Sequence, residues 1–311
     1  MPDAAFAGPG GERAVVEAAR ALRAAGRAFA LTLVVEAEGS TYRKPGALAL
    51  VADDGRRVGV ISGGCLEPGL VTLGREALAR AEPRETVFDT RSDDDLVFGS
   101  GSGCRGRMRV VALPVGPGAS SPLLDAVLAA HDDRRPARLA LGVLAPGLRL
   151  SIELTVRPPP LVLLLGAGPE APPLVGIART LGWYLWIADH RTALLEDARL
   201  QAADRVIAAR PEAALADLAG TPLDAAIAMT HAAEHDLAAL AALASREVRY
   251  VGLLGPPARR DELLGRLTPA QRAALDGRLR APVGLPLGGE GPETIALAIA
   301  AQLQGEFHRT A

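Results

Sequence analysis

From Leu161 to the carboxyl end, short apolar runs alternate with stretches of helical spacing, and few folds accept that rhythm. The apolar runs are "LVLLL", "YLWIAD", "DRVIA", "DAAIAMTH" and "RYVGLLG". Between them lie "PEAPPLVGIARTLGW", "PEAALADLAG", "AAEHDLAALAALASR" and "PPARRDELLGRL", and "GPETIALAIAAQLQGEF" closes the series. The first of them, "LVLLL", reads as a buried strand. Helices returning between such strands give a parallel, doubly wound sheet.

The first of these strands runs into Gly166-Ala167-Gly168-Pro169-Glu170-Ala171, which fits the G-x-G-x-x-G/A pattern in its informative place, after a strand and before a helix. Gly166 permits the tight turn, Gly168 lets a phosphate reach the backbone, and Ala171 lets helix and strand pack closely. Asp189 ends the next strand about twenty residues on, the position of a ribose-binding acid. Pro169 suits a first helical turn but withholds one amide from an incoming anion. Thr230 and His231, in "MTHAAEHD", fall at the carboxyl edge of a strand, where open α/β sheets bind ligands. Thr230 also reads as a helix cap. His231 and His235 are spaced to share a helical face, although two histidines without a third ligand make a poor metal site.

Ahead of this region "RPPP" at Arg157–Pro160 is a stiff spacer, and the domain boundary belongs there: residues 1–157 and residues 158–311. The first half mixes helices and strands with long glycine loops. Helical spacing in "RAVVEAARALRAAGR" stops at Gly26, and the strand "AFALTLVVEAEG" follows. "ALALVADDGRRVGVISGG" reads as a hairpin around Asp54-Gly55, a type I′ pair. The fold class expected is α/β: a mixed amino-terminal domain with glycine-rich loops, then a Rossmann-like parallel sheet.

The 311 residues carry a net charge of −2, which gives no sequence-independent grip on nucleic acid. No apolar run reaches membrane-spanning length, and the opening twenty residues lack the apolar core of a secretory signal. Two cysteines in glycine loops do not make a disulfide framework, so a soluble, reduced, cytoplasmic setting is expected. Arginine supplies nearly every cation. The single lysine, Lys44, stands in "GSTYRKPG".

That scarcity of sulfur directs attention to where the thiols are. Cys65 follows Gly63-Gly64 at a strand end and precedes a helix, where helix amides lower a thiol pKa and glycine amides can form an anion nest. Glu67 falls in the first turn of that helix, available for a proton or a hydrogen bond. Cys104 sits in "GSGSGCRG" with Arg105 beside it, and Arg43 and Lys44 lie on a third loop. If the three loops meet, they offer soft sulfur, open access and cations for an anionic group. Thiolates suit a soft metal or a persulfide, but two are too few for a closed zinc or iron–sulfur site.

"EGSTYRKPGALALV", "GVISGGCLE" and "GSGCRGRMRV" resemble the first domain of the XdhC/CoxI family. "LVLLLGAG", "MTHAAEHD", "YVGLLGPPARR" and "PVGLPLGGEGPETIALAIAAQL" resemble its Rossmann domain. The resemblance implies an accessory protein, more a cofactor-handling maturation factor than an enzyme. It would bind molybdenum cofactor (molybdopterin), work with a cysteine-desulfurase-like sulfur donor, and deliver the sulfurated cofactor to an apo molybdenum hydroxylase of the xanthine dehydrogenase type. A homodimer is implied as well. On this resemblance Cys65 faces the molybdenum or its sulfur, Glu67 orients it, Cys104 lies across the pocket, and Arg43 meets the anionic end of the pterin.

Two other classes fit parts of the chain. One is an NAD(P)-dependent oxidoreductase using Gly166, Gly168 and Asp189. The other is a thiol-redox or sulfur-carrier protein using Cys65 and Cys104, against which the absence of C-x-x-C counts.

Overall fold

A computed structural model describes residues 11–64, 66–91, 105–119 and 121–309. The chain divides into two compact units, Met1–Pro159 and Pro160–Ala311, the division falling inside the proline run.

The first unit is built on one antiparallel sheet of five strands: β1 Phe29–Gly39, β2 Leu48–Ala52, β3 Arg57–Val58, β4 Arg84–Asp89 and β5 Gly106–Val115, in the order β3-β2-β1-β5-β4. Both faces are covered. Helices α1 (Gly11–Ala24) and α3 (Pro122–Asp133) and the hairpin of β6 (Ala137–Ala145) with β7 (Leu148–Val156) share a core with Phe29, Leu31, Leu33, Leu48 and Leu50. Helix α2 (Glu67–Arg80) packs Leu70, Leu73 and Ala77 on the opposite face against Ala30, Val34, Ala49 and Val110. That double burial is why Phe29–Val34 of β1 is apolar except for Thr32, whose hydroxyl donates to the Ala49 carbonyl at 3.1 Å. A register shift between Val34 and Glu36 then turns the end of β1, and Glu36 reaches Arg107 and Arg109.

Two details differ from the expected hairpin. Only Gly55 takes a left-handed φ (+84°), so the turn is not type I′. Asp54 instead accepts a hydrogen bond from the Arg56 amide at 2.9 Å, an Asx-type arrangement needing one left-handed residue. Moreover β3 is only two residues long, and the chain leaves the sheet at Gly59.

The second unit is a six-stranded sheet, parallel throughout: β8 Leu161–Leu165, β9 Tyr184–Asp189, β10 Arg205–Ala208, β11 Leu223–Ala228, β12 Val248–Leu253 and β13 Leu279–Arg280. Its order, β10-β9-β8-β11-β12-β13, is the 3-2-1-4-5-6 order of a Rossmann fold when strands are counted from β8. Helices α4 (Ala171–Leu181) and α10 (Pro292–Phe307) bury one face. On the other lie α6 (Pro211–Asp217), α7 (Ala233–Ala244), α8 (Pro257–Arg266) and α9 (Pro269–Leu275). The short α5 (Thr192–Leu195) and a 3-10 turn (Ala198–Ala202) link β9 to β10. The mixed first domain and the doubly wound second domain are both present as read from the sequence. Helix α9 and strand β13 were not anticipated, although Thr268 and Gln271 form a capping box at the start of α9. Among the described residues no helix is long and apolar enough to cross a membrane.

Candidate functional site

The stretch Ile61–Gly64 has no regular structure, and the residue that organises it is Glu67, on the first turn of α2. Its buried carboxylate accepts hydrogen bonds from the Ser62 amide (3.1 Å) and the Ser62 hydroxyl (3.0 Å), while the Arg57 guanidinium forms an ion pair with its other oxygen at 3.0 Å. Ser62 Oγ in turn accepts from the amides of Gly64 and Leu66, both at 3.2 Å. The expected anion nest is therefore taken: two of its amides are bound by the loop's own hydroxyl. Glu67 is likewise committed to the loop backbone rather than left available as a proton donor. Cys65 and Cys104 lie outside the described residues.

The flanks of both cysteines do meet. Gly63 and Leu66 from the α2 side, and Gly106 at the mouth of β5, line one small pocket with Ser40, Thr41, Tyr42, Phe88 and Thr90. Close backbone contact builds the floor. The Ser40 amide donates to the Arg105 carbonyl at 3.2 Å, and the Thr90 amide donates to the Gly106 carbonyl at 2.9 Å. A Cβ on Gly39 would lie 2.6 Å from the Arg105 carbonyl oxygen, and one on Gly106 would collide with the Ser40 carbonyl, so only glycine fits at either place. Gly64 sits at φ +118° with open space around it, a glycine required by conformation rather than crowding.

Arg43 and Lys44 line a neighbouring cleft of about 460 Å³, and Tyr42 borders both cleft and pocket. The apolar floor of the cleft includes Leu33, Leu48, Leu123 and Leu154, and Arg157 stands on its rim. Arg43 pairs with Glu12 at 3.6 Å, and Lys44 donates to Thr41 Oγ1 at 3.2 Å. Sequence reasoning missed Ser62, Tyr42 and Arg157. Ser62 alone left a signal, a hydroxyl shortly before a helix start.

In the second domain Gly166 takes φ +129°, and a Cβ there would strike the Met229 carbonyl, so β8 and β11 approach as the Rossmann turn requires. Asp189 is buried and spends both oxygens internally: one accepts from the Ala167 amide at 2.8 Å and from Arg191 Nη2 at 2.6 Å, the other from the Arg191 amide and Nε. Burial alone would raise its pKa, but the Arg191 and amide hydrogen bonds hold it at about 2.

Thr230 does not cap α7. Its hydroxyl donates to the buried carboxylate of Asp236 at 2.7 Å, and its amide donates to the same oxygen at 3.0 Å. Arg259 closes the network on the second Asp236 oxygen at 2.6 Å. This bracing holds His231 at φ +61°, outside the helix. The two histidines therefore do not share a face: His231 Nε2 pairs with Glu170 Oε2 at 3.2 Å, whereas His235 packs on His190 with ring centroids 4.3 Å apart. Among the described residues no group of three or more His, Cys, Asp or Glu is placed to hold a metal ion.

The architecture defines a class: a two-domain α/β protein with a small pocket bordered by Gly63 and Gly106 on its first domain and a Rossmann fold as its second. Comparison with known proteins gives the particular family. Residues 22–89 match the model of the XdhC and CoxI family, and residues 162–303 match that of the XdhC Rossmann domain. A curated relative from Bacillus subtilis, named as a probable subunit of xanthine dehydrogenase, is 30% identical over 88% of this chain and 91% of its own. A crystal structure of a xanthine dehydrogenase from Bacillus halodurans superposes with a TM-score of 0.76 at 29% identity, covering 94% of this chain and 95% of that one. The uncharacterized protein YqeB of Escherichia coli is 27% identical over 88% of this chain, which spans 43% of YqeB. The chain belongs to the XdhC and CoxI family.

Proposed function

We propose that this chain is an accessory protein that binds molybdenum cofactor, holds it during sulfuration, and delivers it to a molybdenum hydroxylase of the xanthine dehydrogenase type. One observation carries the reading: the SGGCLE loop and the mouth of β5, the flanks of the only two cysteines, border a single pocket. The residues around it suit the cofactor. The pocket itself is small, about 30 Å³, so the body of the cofactor would lie in the neighbouring cleft, where Arg43, Lys44 and Arg157 border an apolar floor, a fit for a flat ring system ending in a phosphate. The bound cofactor supplies a dithiolene-held molybdenum, the redox centre of the hydroxylase.

In this reading Cys65 supplies a soft ligand to that centre or to its sulfur, and Cys104 is the second thiol. Glu67 is a positioning residue: by tying down Ser62 it sets the path of the Ser62-Gly63-Gly64 backbone. Arg43 and Lys44 hold the phosphate. A cysteine-desulfurase-like donor brings the sulfur, the apo-hydroxylase takes the product, and the protein acts as a cytoplasmic homodimer.

Native mass spectrometry with metal analysis tests this on protein from cells that make molybdenum cofactor. Wild type is expected to carry a pterin-sized adduct with molybdenum, and Cys65→Ala to lose it while remaining folded. Equal molybdenum in both proteins, or none in either, would sink the proposal. An NAD(P)-dependent oxidoreductase is the second reading, favoured by the 3-2-1-4-5-6 strand order with its glycine turn at the switch point.

A further inference from the structure

In a Rossmann domain the pyrophosphate of a dinucleotide rests against the second glycine of the turn, on amides at the start of the following helix. Three features of this chain close that seat. The first is occupancy. A Cβ built on Gly168 would lie 2.8 Å from His231 Nε2 and 2.9 Å from Glu170 Oε2, so the space above the second glycine already holds this pair. Glu170 is buried, and its carboxylate stands at the amino end of α4, where the helix dipole would otherwise favour a phosphate.

The second feature is the supply of donors. Pro169, Pro172 and Pro173 have no N–H. The amides of Gly166, Ala167 and Ala171 are bound to the Ala188 carbonyl, the Asp189 carboxylate and the Gly168 carbonyl at 2.8, 2.8 and 3.0 Å, which leaves the Gly168 and Glu170 amides as the donors a phosphate would meet if the Glu170 carboxylate were removed. The third is the ribose acid. Asp189 is consumed by Arg191 and by the turn itself.

We infer that the Glu170 carboxylate, held by His231, plugs the phosphate seat of this Rossmann domain and excludes dinucleotides from it. The plug is built into the fold. Thr230, Asp236 and Arg259 brace the loop that carries His231, and His231 faces the carboxylate across the turn. The plug is independent of the molybdenum reading and bears only on the second domain. It weighs against the oxidoreductase reading, because a plugged seat would leave a hydride carrier no place to anchor its pyrophosphate.

Isothermal titration of the full chain with NAD⁺, NADH, NADPH and ADP-ribose tests it. Wild type is expected to show no saturable binding at millimolar ligand. Glu170→Ala removes the charge facing the phosphate and is expected to strengthen ADP-ribose binding by about tenfold or more. His231→Ala enlarges the seat but keeps the carboxylate, and is expected to behave as wild type. Thermal melts establish that both variants are folded. Micromolar binding of any of the four ligands to wild type overturns the inference. So does a folded Glu170→Ala that binds no better than wild type, or a gain in His231→Ala equal to that in Glu170→Ala.

Discussion

Glu67 and Ser62 are joined twice, by the serine amide and by its hydroxyl on one carboxylate oxygen, and this pair shapes the loop that leads to Cys65. The consequence is that an acid in the first turn of a helix, ordinarily a modest dipole contribution, here governs a backbone path that begins five residues upstream.

Removing the carboxylate should therefore loosen the loop. Glu67→Ala leaves two buried Ser62 donors without an acceptor, a cost of about 1–3 kcal/mol. Denaturant unfolding should show that loss, and alkylation of Cys65 should quicken. Glu67→Gln retains an acceptor oxygen and should recover most of the stability. Unchanged unfolding and alkylation in Glu67→Ala would show that the pair is incidental.

Glycines of different kinds should respond oppositely to alanine. Gly106→Ala drives a methyl into the Ser40 carbonyl, and Gly166→Ala combines a collision at Met229 with φ +129°. Each should cost about 2 kcal/mol or more. Gly176, exposed within α4 with nothing within 4 Å of a built Cβ, should gain roughly 0.5–1 kcal/mol on the same change. Urea midpoints of the three variants check the signs.

Two buried groups should make acid unfolding depend on the domain watched. Asp189, ordinarily near 3.8, is held at about 2 in the folded protein. Its contribution is fully present above pH 3.8 and is lost as pH falls through about 2. The gap corresponds to about 2 kcal/mol, so Asp189→Asn should destabilise the second domain at neutral pH by that order and converge with wild type near pH 2. His131, in the last turn of α3, is pushed down from 6.5 to about 4, chiefly by burial and secondarily by the nearby Arg20 and Arg134. The unfolded chain takes up its proton first, so the first domain should lose on the order of 3 kcal/mol between pH 6.5 and pH 4. His131→Leu should flatten that slope. Calorimetry across the range, resolving the two domains, would contradict the assignment if the slopes of the variants matched wild type.

The Rossmann domain was legible because its signals are local. An apolar run such as Leu161–Leu165 announces burial on both faces, and a glycine turn between strand and helix announces parallel winding. The first sheet was legible only in part: Asp54-Gly55 signalled a turn, but which turn depended on the Asp54 carboxylate finding the Arg56 amide. The site was harder still. Each glycine loop was visible as a loop, yet their meeting around Tyr42 required the antiparallel pairing of β1 with β5 and the docking of α2.

The second domain's main strands and their parallel winding, the glycine turn, and the places of Asp189 and His231 at strand ends follow from the sequence, because each rests on local spacing. Tertiary structure alone decided what those side chains touch. Asp189 turns inward to Arg191, Glu170 rises over Gly168 to meet His231, and Glu67 reaches back to Ser62, because a carboxylate withdrawn from water binds whichever donors packing brings within reach. Periodicity specifies where a residue sits along the chain. Which of the donors a carboxylate meets, whether near in sequence like Ser62 or 61 residues away like His231, is chosen only when the sheet closes.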